Sequence, residues 1–266
     1  MIHIFVKPKT TNIWQATWNI VKTKWYFWAP LLLVFILGPL AIAIPSIYFI
    51  ATLNKTRSFF WKEFADLNGW QYNDSIQSET FNLAYNNTNG ESGVMFKEGN
   101  TRNISNEIRG FFEDRPFRIF CYQFSIGSDK NRRTFCYTVF AFKLNGSFPH
   151  IYLNNKSNSW SINTGEKIPL PVEFENKFSL SAPKEYEIEA LEIFTPDILA
   201  SLLNKGFLYD VEFVNQEILV FADGQINNFE QLETRFNKAL ELKDLMFEKL
   251  DKFKFEKIGD IPATLK

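Results

Sequence analysis

Thirty consecutive positions, Trp25 through Asn54, carry no charged side chain. A helix of that length would span roughly 45 Å, against a bilayer hydrocarbon core of about 30 Å. Buried helices of soluble proteins rarely stay uncharged beyond about 18 residues. The run therefore predicts a membrane segment. One crossing fits with tilt or kinks, whereas two full crossings need about 40 residues. Pro30, Pro39 and Pro45 interrupt the run, and each removes a backbone donor. The expectation is one kinked transmembrane helix over 25–54, with a re-entrant loop turning at Gly38-Pro39 as the alternative. The apolar run is too long for a signal-peptide core of about 7–15 residues, which points to an uncleaved anchor.

The flanks fit the same reading. Trp14, Trp18, Val21 and Trp25 recur at spacings of four, three and four, which predicts an amphipathic helix over 11–24 lying in the headgroup region. Trp28 and Trp61 extend the tryptophan belt. Lys7, Lys9, Lys22 and Lys24 precede the run, and Lys55, Arg57 and Lys62 follow it. That near-balance permits either orientation. The reading is a cell-membrane anchor, single-pass or re-entrant, with the soluble part placed in the cytoplasm.

Composition divides along the same line. Six of the seven Trp lie in the first 70 residues, whereas most of the 29 Phe lie beyond them. The chain is 45% hydrophobic, which excludes a disordered polymer, and its net charge of -1 gives no basis for holding nucleic acid. Two cysteines cannot staple a disulfide-dense scaffold, and His3 and His150 leave little for a histidine metal site.

Residues 55–266 read as an α+β body. Phe60, Phe64 and Leu67 share a helix face that stops at Asn68-Gly69. A polar stretch from Asn73 to Gly93 reads as a loop around a short helical turn near Phe81–Tyr85. Four strand-like segments, NEIRGFF, FRIFCYQFSI, TFCYTVFAFKL and the shorter HIYLN, then form an antiparallel meander, with turns at Glu113–Pro116, Gly127–Asn131 and Asn145-Gly146. A polar loop over 154–170 allows a split into two subdomains near 155–170. PVEFENKFSLSAP reads as a strand or hairpin, and EYEIEALEIF as a short helix. Thr195-Pro196-Asp197 marks a helix start. A hairpin turning at Asn215-Gln216 follows, then a long amphipathic helix whose apolar stripe from Phe229 to Phe253 is broken only by Lys243. The expected architecture is an antiparallel meander with helices packed on one face.

No nucleotide-binding, metalloprotease, serine-hydrolase or CxxC pattern occurs. Cys121 and Cys136 are equidistant from position 128.5, so a hairpin centred there would set them opposite each other. That geometry permits a cross-strand disulfide or redox pair; two small core residues, or a Cys with His150 as base, are the other readings. Lys130, Arg132 and Arg133 make a basic hairpin tip that could touch anionic headgroups or remain solvated. Arg109, in an apolar strand, calls for a carboxylate such as Glu107 or Glu113, or for a ligand anion.

The segments from Phe60 to Tyr72, GVMFKEGNTRNISNEIRGFFEDRPFRIFCYQFSIG and EALEIFTPDILASLLNKGFLYDVEFVNQEILVFAD together resemble a family of uncharacterised bacterial membrane-anchored proteins. The resemblance covers roughly residues 55–250. It implies a membrane anchor followed by an α+β domain, and it implies no catalytic residues. The expectation is a non-enzymatic binding or scaffold module, needing no cofactor or metal, whose partners are the lipid bilayer and a protein. A membrane-bound hydrolase or redox protein, or an accessory subunit of a transport or envelope complex, is the alternative.

Overall fold

The computed structural model describes residues 5–32, 40–75, 93, 96, 99–158 and 166–250. Helices α1 (Ile13–Val21), α2 (Trp25–Leu32) and α3 (Leu40–Leu67) come first. Strands β1 (Gln71–Ser75), β2 (Thr101–Phe112), β3 (Arg115–Ile126), β4 (Arg133–Asn155) and β5 (Glu166–Ile168) follow. Then come α4 (Val172–Glu175), β6 (Phe178–Ala182), α5 (Glu187–Ile193), α6 (Pro196–Asn204), β7 (Asp210–Asp223) and α7 (Phe229–Leu250). The proposed turn near Phe81–Tyr85 and the end of the last apolar stripe at Phe253 lie outside the described residues.

Among the described residues seven strands pair antiparallel in one sheet, in the order β1-β2-β3-β4-β6-β5, with β7 also on β4. The fold is therefore α+β, as the strand pattern implies. The β2–β3 turn consists of Glu113 and Asp114, both at positive φ, which matches the right-handed twist of a tight hairpin. Arg115 and Pro116 already belong to β3.

Two expected turns are bulges instead. Asn145-Gly146 does not end a strand, and Asn215-Gln216 does not reverse one. Both lie within a single β4–β7 ribbon that runs from Tyr137↔Asp223 to Leu153↔Val211. Residues 144–147 of β4 bulge opposite the single Gln216, beside Asn215 at φ 55. Extra residues in a ladder bend it without ending it. β5 and β6 extend this same sheet beyond the 155–170 stretch.

Helices cover one sheet face. Phe60, Trp61, Phe64 and Ala65 of α3 and Leu232, Phe236 and Ala239 of α7 join Ile108, Ile119, Phe140, Val211 and Val220 in one apolar cluster. Phe236 is its hub, with ring centroids 4.7 Å from Phe5, 5.3 Å from Phe117 and 5.6 Å from Phe140. Lys243, the break in the α7 stripe, is buried and satisfied. Its Nζ lies 2.9 Å from Glu113 in the β2–β3 turn and 2.8 Å from Asp244.

The single kinked span is corrected. The charge-free run is divided between α2 and α3, which pack side by side in opposite directions. The Tyr26 and Tyr48 hydroxyls meet at 2.9 Å, and Leu31 lines one groove with Ile42. Residues 33–39, between the two helices, lie outside the described residues, and with them the Gly38-Pro39 turn of the re-entrant alternative. Among the described residues no helix is long and apolar enough to cross a membrane. The physical reason is that the residues from Leu40 to Asn54 are only the first half of α3; the second half carries Lys55, Arg57, Lys62, Glu63 and Asp66 and docks on the sheet.

The amphipathic helix is present but turned. α1 buries Ile13, Thr17 and Val21, which leaves Trp14 and Trp18 exposed, and it ends before Trp25. Asn12 caps it by accepting the Gln15 N–H at 3.0 Å. Backbone bonds from Ile13 N–H to the Asn227 carbonyl and from Phe229 N–H to the Thr11 carbonyl fasten it to the start of α7.

Candidate functional site

The structure places the candidate residues at one end of the sheet, on its helix-covered face, on the buried face away from the helices, and at the opposite end.

Contacts along α3 establish which end carries the apolar hairpin. Phe64 lies against Trp70, which in turn meets Phe117 at 4.9 Å. Arg57, two turns earlier, lies among Asn227, Cys121 and Cys136. Moving back along α3 therefore means moving along β3 towards Ile126, whose partner is Arg133. The first half of α3 and all of α2 extend beyond that level. The apolar hairpin and the basic tip thus belong to the same end of the molecule.

That end is richly apolar and open. Ile42, Ile47 and Trp25 are 62%, 66% and 76% exposed. Trp14 stacks on Phe49, and Trp18 meets Phe27 and Trp28 edge-on, so these tryptophans ring the base of the hairpin. Trp28 Nε1 donates to the Lys22 carbonyl at 3.0 Å. Trp61 does not join them: it is fully buried beside Phe60, because it sits on the docked half of α3. Lys130, Arg132 and Arg133 are exposed around a short 3-10 turn at Asp129–Asn131, with Arg132 donating to Ser125 Oγ at 3.2 Å.

The cysteines are not opposite each other. Cys121 pairs with Thr138, and Gln123 pairs with Cys136, because the hairpin is centred between Lys130 and its neighbour Asp129, one residue later than expected. The two thiols share the helix-covered side as diagonal neighbours, a separation of about 7–8 Å between Cα atoms, and both are free. Burial first, and the neighbouring Cys136 second, push Cys121 up to about 12. Cys136 accepts from Gln225 Nε2 at 3.1 Å and is also raised by burial. His150 points to the other face of the sheet, so no Cys–His pair forms.

On that other face a second apolar cluster, including Phe96, Phe120, Tyr122, Phe124 and Phe221, borders a strip of buried polar groups. His150, Tyr152 and Asn154 of β4 face Asp210 and Glu212 of β7. His150 Nε2 meets Glu212 Oε1 at 2.5 Å. Asp210 accepts the Asn155 N–H at 2.6 Å and the Tyr152 hydroxyl at 3.2 Å. Desolvation nonetheless lifts its carboxyl to about 7. Burial, then Asp210 and Glu212, hold the Tyr152 phenol well above its ordinary range. Gly93 lies so close above that a Cβ there would come within 3.0 Å of Glu212 Oε2. Nothing local in the sequence marks this strip, because HIYLN reads as the end of the meander and DVEFV as an arm of a separate hairpin; period-two alternation across their pairing is the signal that points to it.

At the sheet end away from the hairpin, the same face is uncovered. A cavity of about 620 Å³ opens there, lined by Gln71, Arg109, Phe111, Pro116, Arg118, Ala141, Lys143 and Glu217 among others. The register Gln71↔Arg109↔Arg118↔Ala141 aligns its floor across four strands. Arg118 Nη2 donates to both carboxylate oxygens of Glu217, at 2.5 and 2.7 Å. Arg109 Nε lies 2.8 Å from the buried Glu107, which also accepts from Asn73. Glu107, and not Glu113, is thus the partner of Arg109. Among the described residues no group of His, Cys, Asp and Glu is gathered to hold a metal ion.

No protein-family model and no curated protein matches the chain. Among solved structures it is similar to the mycobacterial trehalose monomycolate transport factor A, TtfA, at 12% identity. The TM-score is 0.48, over 73% of this chain and 93% of that one, a likeness too distant to carry a functional argument.

Proposed function

We propose that the protein is a non-enzymatic binding module held at a membrane surface by the α2–α3 hairpin. The observation that carries this reading is the open apolar hairpin, ringed by Trp14, Trp18, Trp25 and Trp28 and sharing its end of the molecule with Lys130, Arg132 and Arg133. An apolar wedge, an aromatic collar and nearby cations are what an anionic interface selects. Because α2 and α3 fold back on each other, the hairpin enters one leaflet and returns. The body then stands on one side, the cytoplasmic side in this reading, with its cleft at the far end as the binding surface.

Flotation of the purified full chain with phosphatidylcholine vesicles, with and without phosphatidylglycerol, tests the proposal. The wild type is expected to float, and better with the anionic lipid. Ile42→Asp with Ile47→Asp should lower binding by about tenfold or more, since each buried isoleucine is worth roughly 1.5–3 kcal/mol. Charge reversal at Lys130, Arg132 and Arg133 should remove only the anionic-lipid gain. A wild type that stays with the soluble fraction would overturn the reading. Reporters fused at the two termini should both be active in the cytoplasm; opposite sides would restore a single span.

A further inference from the structure

We propose that the cleft at the far end of the sheet binds a small organic anion, a carboxylate or phosphate attached to an apolar body. The assignment deepens the reading of the protein as a binding module and is independent of how the hairpin meets lipid. Three cations, Arg109, Arg118 and Lys143, face a cavity of about 620 Å³ that has one carboxylate, Glu217, in its wall. That size falls within the range of about 300–1,000 Å³ for small-molecule sites.

The cations differ in what they can offer. Arg118 is clamped by Glu217 and shapes the wall. Arg109 forms an ion pair through Nε, 2.8 Å from a carboxylate buried beneath it, although Nε is not aligned for a hydrogen bond. Among the described residues its two terminal nitrogens have no hydrogen-bonding partner, so a planar fork is pre-positioned at the cleft. A fork of this kind matches the two oxygens of a carboxylate or phosphate. Lys143, exposed and without an ion-pair partner among the described residues, lies across the floor and adds a second positive charge.

The apolar half of the ligand has its own surface. Phe111, next to last in β2 and opposite Pro116, is 69% exposed. Its ring and Pro116 flank the cations on the same sheet face. An exposed aromatic beside cations with unused donors is costly to leave empty and is satisfied by a ligand with a charged head and an apolar body.

Isothermal titration calorimetry on the full chain in phosphatidylcholine nanodiscs, with empty nanodiscs as blank, tests this directly. The probes are phenylacetate, phenyl phosphate, benzyl alcohol and inorganic phosphate. Phenylacetate or phenyl phosphate is expected to bind, and the stronger of the two identifies the head group. Benzyl alcohol and inorganic phosphate should each bind at least about tenfold more weakly than the stronger probe. Lys143→Glu and Phe111→Ala, both at exposed positions, should each weaken the stronger probe by about fivefold or more. Arg109→Gln should abolish binding, and the two exposed variants keep the test valid if loss of the Glu107 partner unfolds that chain. Equal affinity for benzyl alcohol, binding unchanged by Lys143→Glu, or no binding of either anion would overturn the assignment. Flotation of the same preparation separates failure here from failure of the membrane reading.

Discussion

The two faces of the sheet solve different problems. The helix-covered face is closed and almost wholly apolar, with Phe236 meeting five other aromatic rings. The other face is apolar at its centre, polar and buried along the far part of the β4–β7 ribbon, and open at the cleft. Burial of Phe rings lowers the free energy of the native state, whereas burial of Asp210 or Glu107 raises it unless every oxygen is satisfied. The buried carboxylates Glu107, Asp210 and Glu212 all lie on that second face, and the unoccupied donors of Arg109 stand beside Glu107. That asymmetry separates what holds the fold from what is available for binding.

The comparison can be broken experimentally. The largest effect is expected on the helix-covered face: Phe236→Ala should lose about 3–5 kcal/mol in chemical denaturation. A loss below about 1 kcal/mol would mean that α7 does not seal the core.

The buried polar strip should show itself through pH. Asp210 titrates near 7 in the native state, above its ordinary range, so the folded chain holds a proton that the unfolded chain releases. Its contribution is therefore complete at acid pH and lost as pH rises from about 4 to about 7, by roughly 2–4 kcal/mol. Asp210→Asn, which keeps an acceptor for the Asn155 N–H, should flatten that slope. An unchanged slope would assign the pH dependence elsewhere.

Thiol reactivity gives a smaller contrast. Cys121, buried and pushed up to about 12, should resist native alkylation, while half-buried Cys136 reacts first. Mass spectrometry that found the two linked would contradict the diagonal register. Smallest of all, Lys143→Glu should shift stability by less than about 0.5 kcal/mol. A larger loss would make Lys143 part of the fold and not of the cleft.

Local chemistry in the sequence reported much of this correctly. The aromatic strands around Cys121 and Cys136, a turn starting at Glu113 and the Thr195-Pro196 helix start all follow from neighbours in the chain, which also narrow the carboxylate partner of Arg109 to Glu107 or Glu113 without choosing between them. The errors arise where the deciding partner is remote. Asn145-Gly146 has every local mark of a turn, yet pairing with β7 on both sides of it makes it a bulge and lets the strand run on. Trp61 has the residue type of an interfacial belt, and only docking of α3 on the sheet buries it. A one-residue displacement of the β3–β4 turn was enough to move the cysteines from opposite to diagonal. The cleft was legible only in Arg109, because Arg118, Lys143 and Phe111 meet it through pairings across three strands.

Beyond Pro45 near its outer end, α3 joins the apolar hairpin to the core with no further proline and no glycine. Its 28 residues run unbroken from Leu40 to Leu67, a rod of about 42 Å. The inner half is locked by Phe60, Trp61 and Phe64, so a torque applied to the outer half is delivered to the sheet and not absorbed by a tether. If the hairpin seats in a bilayer as proposed, the body is attached as a lever with its fulcrum in the core: the seating angle would set the direction in which the distant cleft faces.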